Sequence, residues 1–282
     1  MLLATVAHCQ TSKMDRLQTI GWGHNEESWS IDHAVIEGDP ESAELWKRVD
    51  EYLKRVWRRA DGRGFAVSAA CIDSGGHHTQ KVYEFAKARL GRRIWAIKGE
   101  SARGGARSPV WPTKRPSSRT KSTFRPVIIG VNAAKDVIRE RLRRDPEDND
   151  GVLTYPAGYM HFPTDRDINY FAQLISERSV TKFANGQKFR VWELPPGRAN
   201  EALDIRVYGY AALCGLMHMG LKLNRRVEAV QADSTDLLPP APEARQEVEL
   251  DVVSAARPVR PDGPIIKQAQ PEKRSRIRRL AG

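Results

Sequence analysis

The stretch "FAVSAACIDSGG" occupies residues 65–76, and its reading decides the fold. The eight residues through Ile72 are mostly apolar with no clear alternation, the pattern of a strand buried on both faces. Asp73 follows at the carboxyl end of that strand, before Ser74 and a Gly75-Gly76 turn. "HHTQKVYEFAKARL" (77–90) then reads as a helix capped by Thr79. Ligands in open α/β sheets gather at the carboxyl ends of strands, so a charge at this position is a candidate for chemistry. The plain alternative is an aspartate that caps a turn before glycine.

Upstream, "LLATVAHC" (2–9) predicts a first strand, and "RLQTIGWG" and "ESWSIDHAVIEG" predict a hairpin after it. The opening therefore reads as a meander of antiparallel strands. Asp39 is expected to cap a helix with Pro40 at its first position, and Leu45, Val49, Tyr52, Leu53 and Val56 follow at helical spacing. Downstream, "RIWAIKG" (93–99) and "PVIIGV" (126–131) read as strands and "NAAKDVIRERLRR" (132–144) as a helix. "VTKFANGQKFRVWEL" (180–194) is a hairpin turning at Asn185-Gly186. "NEALDIRVYGYAALCGLM" (200–217) is a helix opened by Asn200, with Asp204 in its first turn beside Leu203. Strands followed by strand–helix alternation give an α/β domain with a mixed sheet.

The chain has 282 residues, enough for a sizeable core, and carries a formal charge of +11 with a pI of about 9.7. That balance points to an acidic partner, nucleic acid first. Cys9, Cys71 and Cys214 match no metal or disulfide spacing, as suits a reducing compartment. The apolar start "MLLATVA" is too short for a signal peptide or a membrane span, so a soluble intracellular protein is expected. Residues 101–135 contain no Asp or Glu and read as a long basic loop. Beyond residue 222, seven prolines and few aromatics lead to "EKRSRIRRLAG", and a mostly disordered basic tail is expected over 223–282.

Asp73 and Asp204 are the two acids in places a core does not choose. Taken singly, Asp204 only complements a helix dipole. Taken together, they are the kind of oxygen donors, brought from separate elements, that hard divalent cations require. Phosphodiester cleavage by two metals needs such a cluster, and a basic loop nearby would hold the phosphate backbone.

Five ordered segments carry a resemblance: "GWGHNEESWSID" (21–32), "CIDSGGHHTQKVYEFAKAR" (71–89), "RIWAIKGES" (93–101), "GYMHFP" (158–163) and "VWELPPGRANEALDIRVYGYAAL" (191–213). Over roughly residues 1–220 the chain resembles the nuclease half of the large terminase subunit of tailed phages, the lambda-like GpA family. The resemblance implies a ribonuclease H-like domain, a mixed sheet flanked by helices, over residues 1–222. It implies a metal-dependent endonuclease that cuts concatemeric viral DNA during packaging, with Mg²⁺ or Mn²⁺ in a two-metal site. Asp73 would be the family's acid on a central strand and Asp204 its late acid. Double-stranded DNA is the implied substrate, portal protein and the small terminase subunit the implied partners, and the cytoplasm of the bacterial host the implied location.

The family's first acid lies on the first strand, in a pattern like Gly-Val-Asp-Val-Gln before Asp-Arg-Leu. Here "TVAHCQTSKMDRL" puts His8 at that position when matched from "HCQ", or Thr11 when counted back from "MDRL"; Asp15 belongs to the later Asp-Arg-Leu and is expected past the first strand's end. A neutral imidazole binds through one nitrogen and cannot bridge two ions. Weak cleavage is therefore expected, and a catalytically impaired DNA-binding or portal-docking module is the alternative reading. Another ribonuclease H-like nuclease, of the resolvase kind, shares the carboxylates but not the five segments. "GESARGG" (99–105) lacks the Lys-Ser/Thr of a phosphate loop, so no ATP binding is expected, and the chain reads as an isolated domain or a truncated frame.

Lys98, Arg103, Arg107, Lys114, Arg115, Arg119, Lys121 and Arg125 are the expected phosphate contacts. His77-His78 is read as a solvated turn, His161 as structural, and Trp22, Trp29, Trp95 and Trp192 as packing residues. Glu193 and Glu201 flank the turn before Asp204.

Overall fold

The computed structural model describes residues 2–10, 14–58, 62–100, 108–113, 124–184 and 186–235, without the side chains of 2–15, 184 and 233–235. All of these residues belong to one unit, Met1–Pro239.

The meander forms as expected. β1 (Leu2–Gln10), β2 (Met14–Trp22) and β3 (Ser28–Glu37) pair antiparallel in sequence order. The decisive stretch becomes β5 (Gly64–Asp73), which lies parallel to β1 and carries β4 (Val56–Arg58) antiparallel near its start. β6 (Ile94–Gly99) and β7 (Val127–Ile129) extend the parallel half, and β10 (Met160–His161) adds parallel to β3. The result is an eight-stranded mixed sheet of order β10-β3-β2-β1-β5-β6-β7, with β4 on β5. Two ribbons stand apart from it, β8 (Glu147–Asn149) with β9 (Val152–Thr154) and β11 (Arg178–Ala184) with β12 (Gln187–Glu193).

Strand alternation sorts β5 onto two layers. Ala70 and Ile72 join Leu17, Ile94 and Ala96 beneath α1 (Ala43–Leu53) and α2 (Thr79–Lys87). Ala69 and Cys71 join Ile20, Trp22, Trp95 and Ile97 on the other face, beneath α5 (Glu201–His218). Both faces are covered, which explains why the strand reads as continuously apolar. Its small side chains let helices approach closely. α5 is buried along most of its length, and Gly215 is required there because a Cβ would meet Trp95 and Trp111 at 2.9 Å. α3 (Val131–Arg141) and α4 (Ile168–Leu174) complete that layer.

A charged side chain lies deep inside it. Arg206 is 1% exposed, its guanidinium over the Trp22 and Phe162 rings, and it donates to Ser28 Oγ. Burial pushes its pKa down to about 10, since the charged form loses hydration.

Four expectations shift. Asp39 does not open α1: its Oδ1 accepts from the Glu41 amide, while Ser42 caps the helix through the Glu44 amide, so the turn claims Asp39 and Pro40 first. Val56 leaves the helical stripe for β4, where it is 54% exposed. Thr79 spends its hydroxyl on Ser74 O and Gly76 O, and α2 ends at Lys87, before the short helical turn Leu90–Arg92. The expected tail from 223 begins instead with α6 (Leu223–Thr235), which buries Leu223, Val227 and Val230. Residues 236–282 lie outside the described residues.

Candidate active site

Parallel strands end together, and the register fixes what stands at the edge. Asp73 pairs with Ile97 on β6, and Ala7 pairs with Ile72 on the other side. The next step along β1 is His8, which itself pairs with Arg16 on β2. Asp73, His8 and Arg16 therefore form one row across three strands. Asp15 sits in β2, past the end of β1 as expected, opposite Cys9. Thr11 lies outside the described residues, as does the His8 side chain.

Alternation turns Asp73 to the α5 face, and α5 answers with Asp204 and Tyr208, one turn apart. The buried Tyr208 hydroxyl donates to the Asp73 carboxylate and also feels the charge of Asp204. Burial first, then those two negative charges, push the phenol well above its ordinary pKa, so it remains a donor. Asp73 and Asp204, 131 positions apart in the chain, thus both bear electrostatically on one hydroxyl. Gly75 closes the turn behind Asp73: its amide donates to Asp73 Oδ1 at 3.0 Å, and a Cβ there would stand 3.3 Å from that oxygen. The turn-capping role and the edge position coexist in one residue.

A buried pair backs this centre. Lys135 of α3 and Glu177, just after α4, are 7% and 5% exposed. Lys135 Nζ donates to Glu177 Oε1 at 2.5 Å and lies 3.4 Å from Asp204 Oδ1. Asn200 makes no cap bond at the start of α5; its Nδ2 donates to Glu177 Oε1 at 2.7 Å instead. Lys135 thus ties the acid of α5 to the end of α4.

Tyr208, Lys135 and Glu177 were not legible as site residues in the sequence. The spacing of Asp204 and Tyr208 was the one available signal; Lys135 and Glu177 reach the site only through tertiary packing.

The other expected residues divide. Lys98 is exposed at the end of β6, but alternation from Ala96 puts it on the α2 face, across the edge from Asp73. Arg125 is exposed before β7. Arg103, Arg107, Lys114, Arg115, Arg119 and Lys121 lie outside the described residues. His77 is exposed, as a solvated turn requires, whereas His78 departs from that expectation: its side chain is mostly covered and bonds Glu41 at 2.7 Å. His161 stacks on Trp29 at 5.0 Å and bonds Glu27, a structural role. Trp22 and Trp95 are core residues, and Trp192 is tied to Asp136 at 2.8 Å. Glu193 pairs with Lys182 across the hairpin, away from Asp204.

The donor chemistry is that of a hard divalent ion, which takes oxygen ligands and, for Mg²⁺, needs only one or two protein carboxylates beside its waters. Asp73 and Asp204 are the two carboxylates here that would serve such an ion. Among the described residues, no group of three or more His, Cys, Asp or Glu side chains is placed to hold a metal ion.

The fold is a mixed sheet with Asp73 at the edge of its parallel half, and comparison with known proteins gives the family. Residues 2–227 match the family model described as terminase large subunit gpA, endonuclease domain, and the chain belongs to that family. It is 35% identical over 207 residues to the terminase large subunit of Escherichia phage lambda, covering 72% of this chain and 31% of that protein. It is 33% identical over 196 residues to the terminase large subunit of Enterobacteria phage P21, covering 68% of this chain and 29% of that protein. The chain thus spans about a third of the length of these curated relatives. No solved structure matches it. Among the described residues, no helix is long and apolar enough to cross a membrane.

Proposed function

We propose that this chain is a metal-dependent DNA endonuclease domain of ribonuclease H-like architecture, acting on concatemeric phage DNA during packaging in the host cytoplasm. The observation that carries the reading is the position of Asp73 at the carboxyl end of β5, on the face covered by α5, the helix that carries Asp204 and Tyr208. An antiparallel β1–β3 meander joined to parallel β5 and β6, with the acids at the shared edge, supports the fold assignment.

Asp73 and Asp204 would hold Mg²⁺ or Mn²⁺. When bound, the ions supply activation of water and stabilisation of the leaving oxygen in an in-line displacement. Tyr208 and the Gly75 amide both donate to the Asp73 carboxyl group and restrain it. Lys135 restrains Asp204 and offsets part of the negative charge that Asp73, Asp204 and Glu177 bring together. The basic residues of 103–125 hold the duplex through its phosphates. Portal protein and the small terminase subunit are the proposed partners in the full assembly.

A second reading has a specific observation in its favour. The row across the sheet puts His8 next to Asp73, where a carboxylate would bridge two ions. With imidazole there, the domain keeps the fold and DNA affinity but cuts weakly, and prefers Mn²⁺ as the softer ion. Plasmid nicking by the unmodified chain, His8→Asp and His8→Asp/Asp73→Ala separates the readings. The expected result is feeble cleavage, strong gain, and abolition. Full Mg²⁺-dependent cleavage by the unmodified chain would mean that His8 does not occupy an acid's place, and no cleavage by any of the three would leave the non-catalytic module.

A further inference from the structure

Beside the acid edge, on the same face of the sheet, lies an open polar hollow of about 330 Å³. Arg16, His33, Arg166, Tyr170 and Gln173 line it. Its floor is held rigidly: Gln18 Nε2 donates to Ser30 Oγ at 2.6 Å and to Tyr170 Oη at 2.7 Å. Gln173 joins it to the start of α5 by accepting from the Ala202 amide, two residues before Asp204.

Two guanidiniums face this hollow with capacity to spare. Arg16 has no hydrogen-bond or ion-pair partner among the described residues, and it stands in the row of His8 and Asp73. Two strand spacings separate it from Asp73, about 10 Å. The Arg166 side chain is 10% exposed; Nη1 donates to Asp165 at 2.9 Å, yet its buried Nε has no partner. An unmet buried donor on a charged group is costly unless something external satisfies it. Both arginines act on His33 and, together with its burial, hold that ring in its neutral form. Two carboxylates, Asp165 and Asp167, share the rim, and neither pairs with Arg16. Asp167 spends Oδ1 on the Tyr170 amide and Oδ2 on Asn169, and Asp165 is 74% exposed.

We infer that this hollow is a backbone subsite of the nuclease, in which Arg16 and Arg166 hold a non-bridging phosphate oxygen of the cut strand a few nucleotides from the scissile bond. The inference rests on the reading of the chain as a DNA-cutting domain. Arginine suits the task because its planar donors remain charged and match a phosphate's oxygens. A duplex carries one phosphate per 3.4 Å of axis on each strand, so a strand with its scissile phosphate at Asp73 brings a neighbouring one within reach of Arg16. The subsite would set the direction in which the strand crosses the acid edge, over β1 toward β3.

The test is fluorescence anisotropy of a duplex with the full chain in Ca²⁺, across a salt series, for the unmodified protein, Arg16→Gln, Arg16→Gln/Arg166→Gln and Asp73→Asn. Arg16→Gln removes no described contact, so it is expected to melt at the unmodified temperature. The expected result is weaker binding with a salt slope shallower by roughly 0.9 for one arginine and about twice that for two. A duplex with one neutral methylphosphonate linkage near the cut site should bind the unmodified chain more weakly and show no further loss on Arg16→Gln. An unchanged slope for both arginine variants overturns the subsite. So does equal displacement of the duplex by millimolar inorganic phosphate from the unmodified chain alone, which would make the hollow a free-anion site. If the folded unmodified chain and Asp73→Asn both fail to bind DNA, the parent reading falls as well.

Discussion

Lys135→Met is the perturbation whose cost the structure bounds most tightly. Lys135 and Glu177 are nearly inaccessible and share a 2.5 Å hydrogen bond. Removing the lysine leaves a buried carboxylate with Asn200 as its one described partner. Breaking a buried pair from one side costs about 3–5 kcal/mol. The loss should therefore approach about 3–4 kcal/mol at pH 7. Glu177→Leu should cost less, about 2 kcal/mol, because Lys135 retains Asp204 at 3.4 Å. The double variant, which buries neither charge, should recover most of the loss, giving a coupling of at least roughly 2 kcal/mol. Urea denaturation of the four proteins at pH 7 measures all of these. A Lys135→Met cost below about 1 kcal/mol, or singles that simply add, would refute the buried network that holds Asp204.

Burial pushes the Asp50 carboxyl up, but hydrogen bonds from Arg89, Lys54 and Arg92 outweigh it and hold the group well below the usual carboxylate range. A depressed folded pKa means stability present above the unfolded value near 3.9 and lost as pH falls below it, so Asp50→Asn should lower the urea midpoint at pH 7 and flatten its decline below about pH 4. Gly75→Ala should leave the melting temperature nearly unchanged yet weaken Mn²⁺ binding, read by calorimetry, because its Cβ would press on Asp73 Oδ1. Replacing Arg115, Arg119 and Lys121 by Ala should weaken duplexes of all sequences about equally, and loss confined to one sequence would mean that the loop reads bases.

The alternation-free run before Asp73 was enough to place β5 at the centre of the sheet, and the meander before it set the antiparallel half. Those are local patterns, and they survived. What failed was competition between neighbours. Asp39 was one of two acceptable caps three residues apart, and the turn took it. Val56 continues a helical stripe by spacing, but β4 pairs it to Ala66 instead. The start of α6 was masked by the proline-rich composition that follows it. Asp73 and Asp204 stand out in the sequence as candidates because each sits oddly for a core. Lys135 and Glu177 do not, since a lysine on an amphipathic helix and a glutamate after a short one look solvated until packing closes over them. Arg16 was hidden in the same way: only the sheet register sets it in line with Asp73.

The account stands on Asp73 and Asp204 sharing a divalent ion. Crystals of the chain soaked in Mn²⁺ and measured at the manganese absorption edge test this directly. The account predicts an anomalous peak between the two carboxylates, with Tyr208 still bonded to Asp73, and its loss in Asp204→Asn. A peak held by other residues, or none near Asp73 while the protein binds Mn²⁺ in solution, would contradict it.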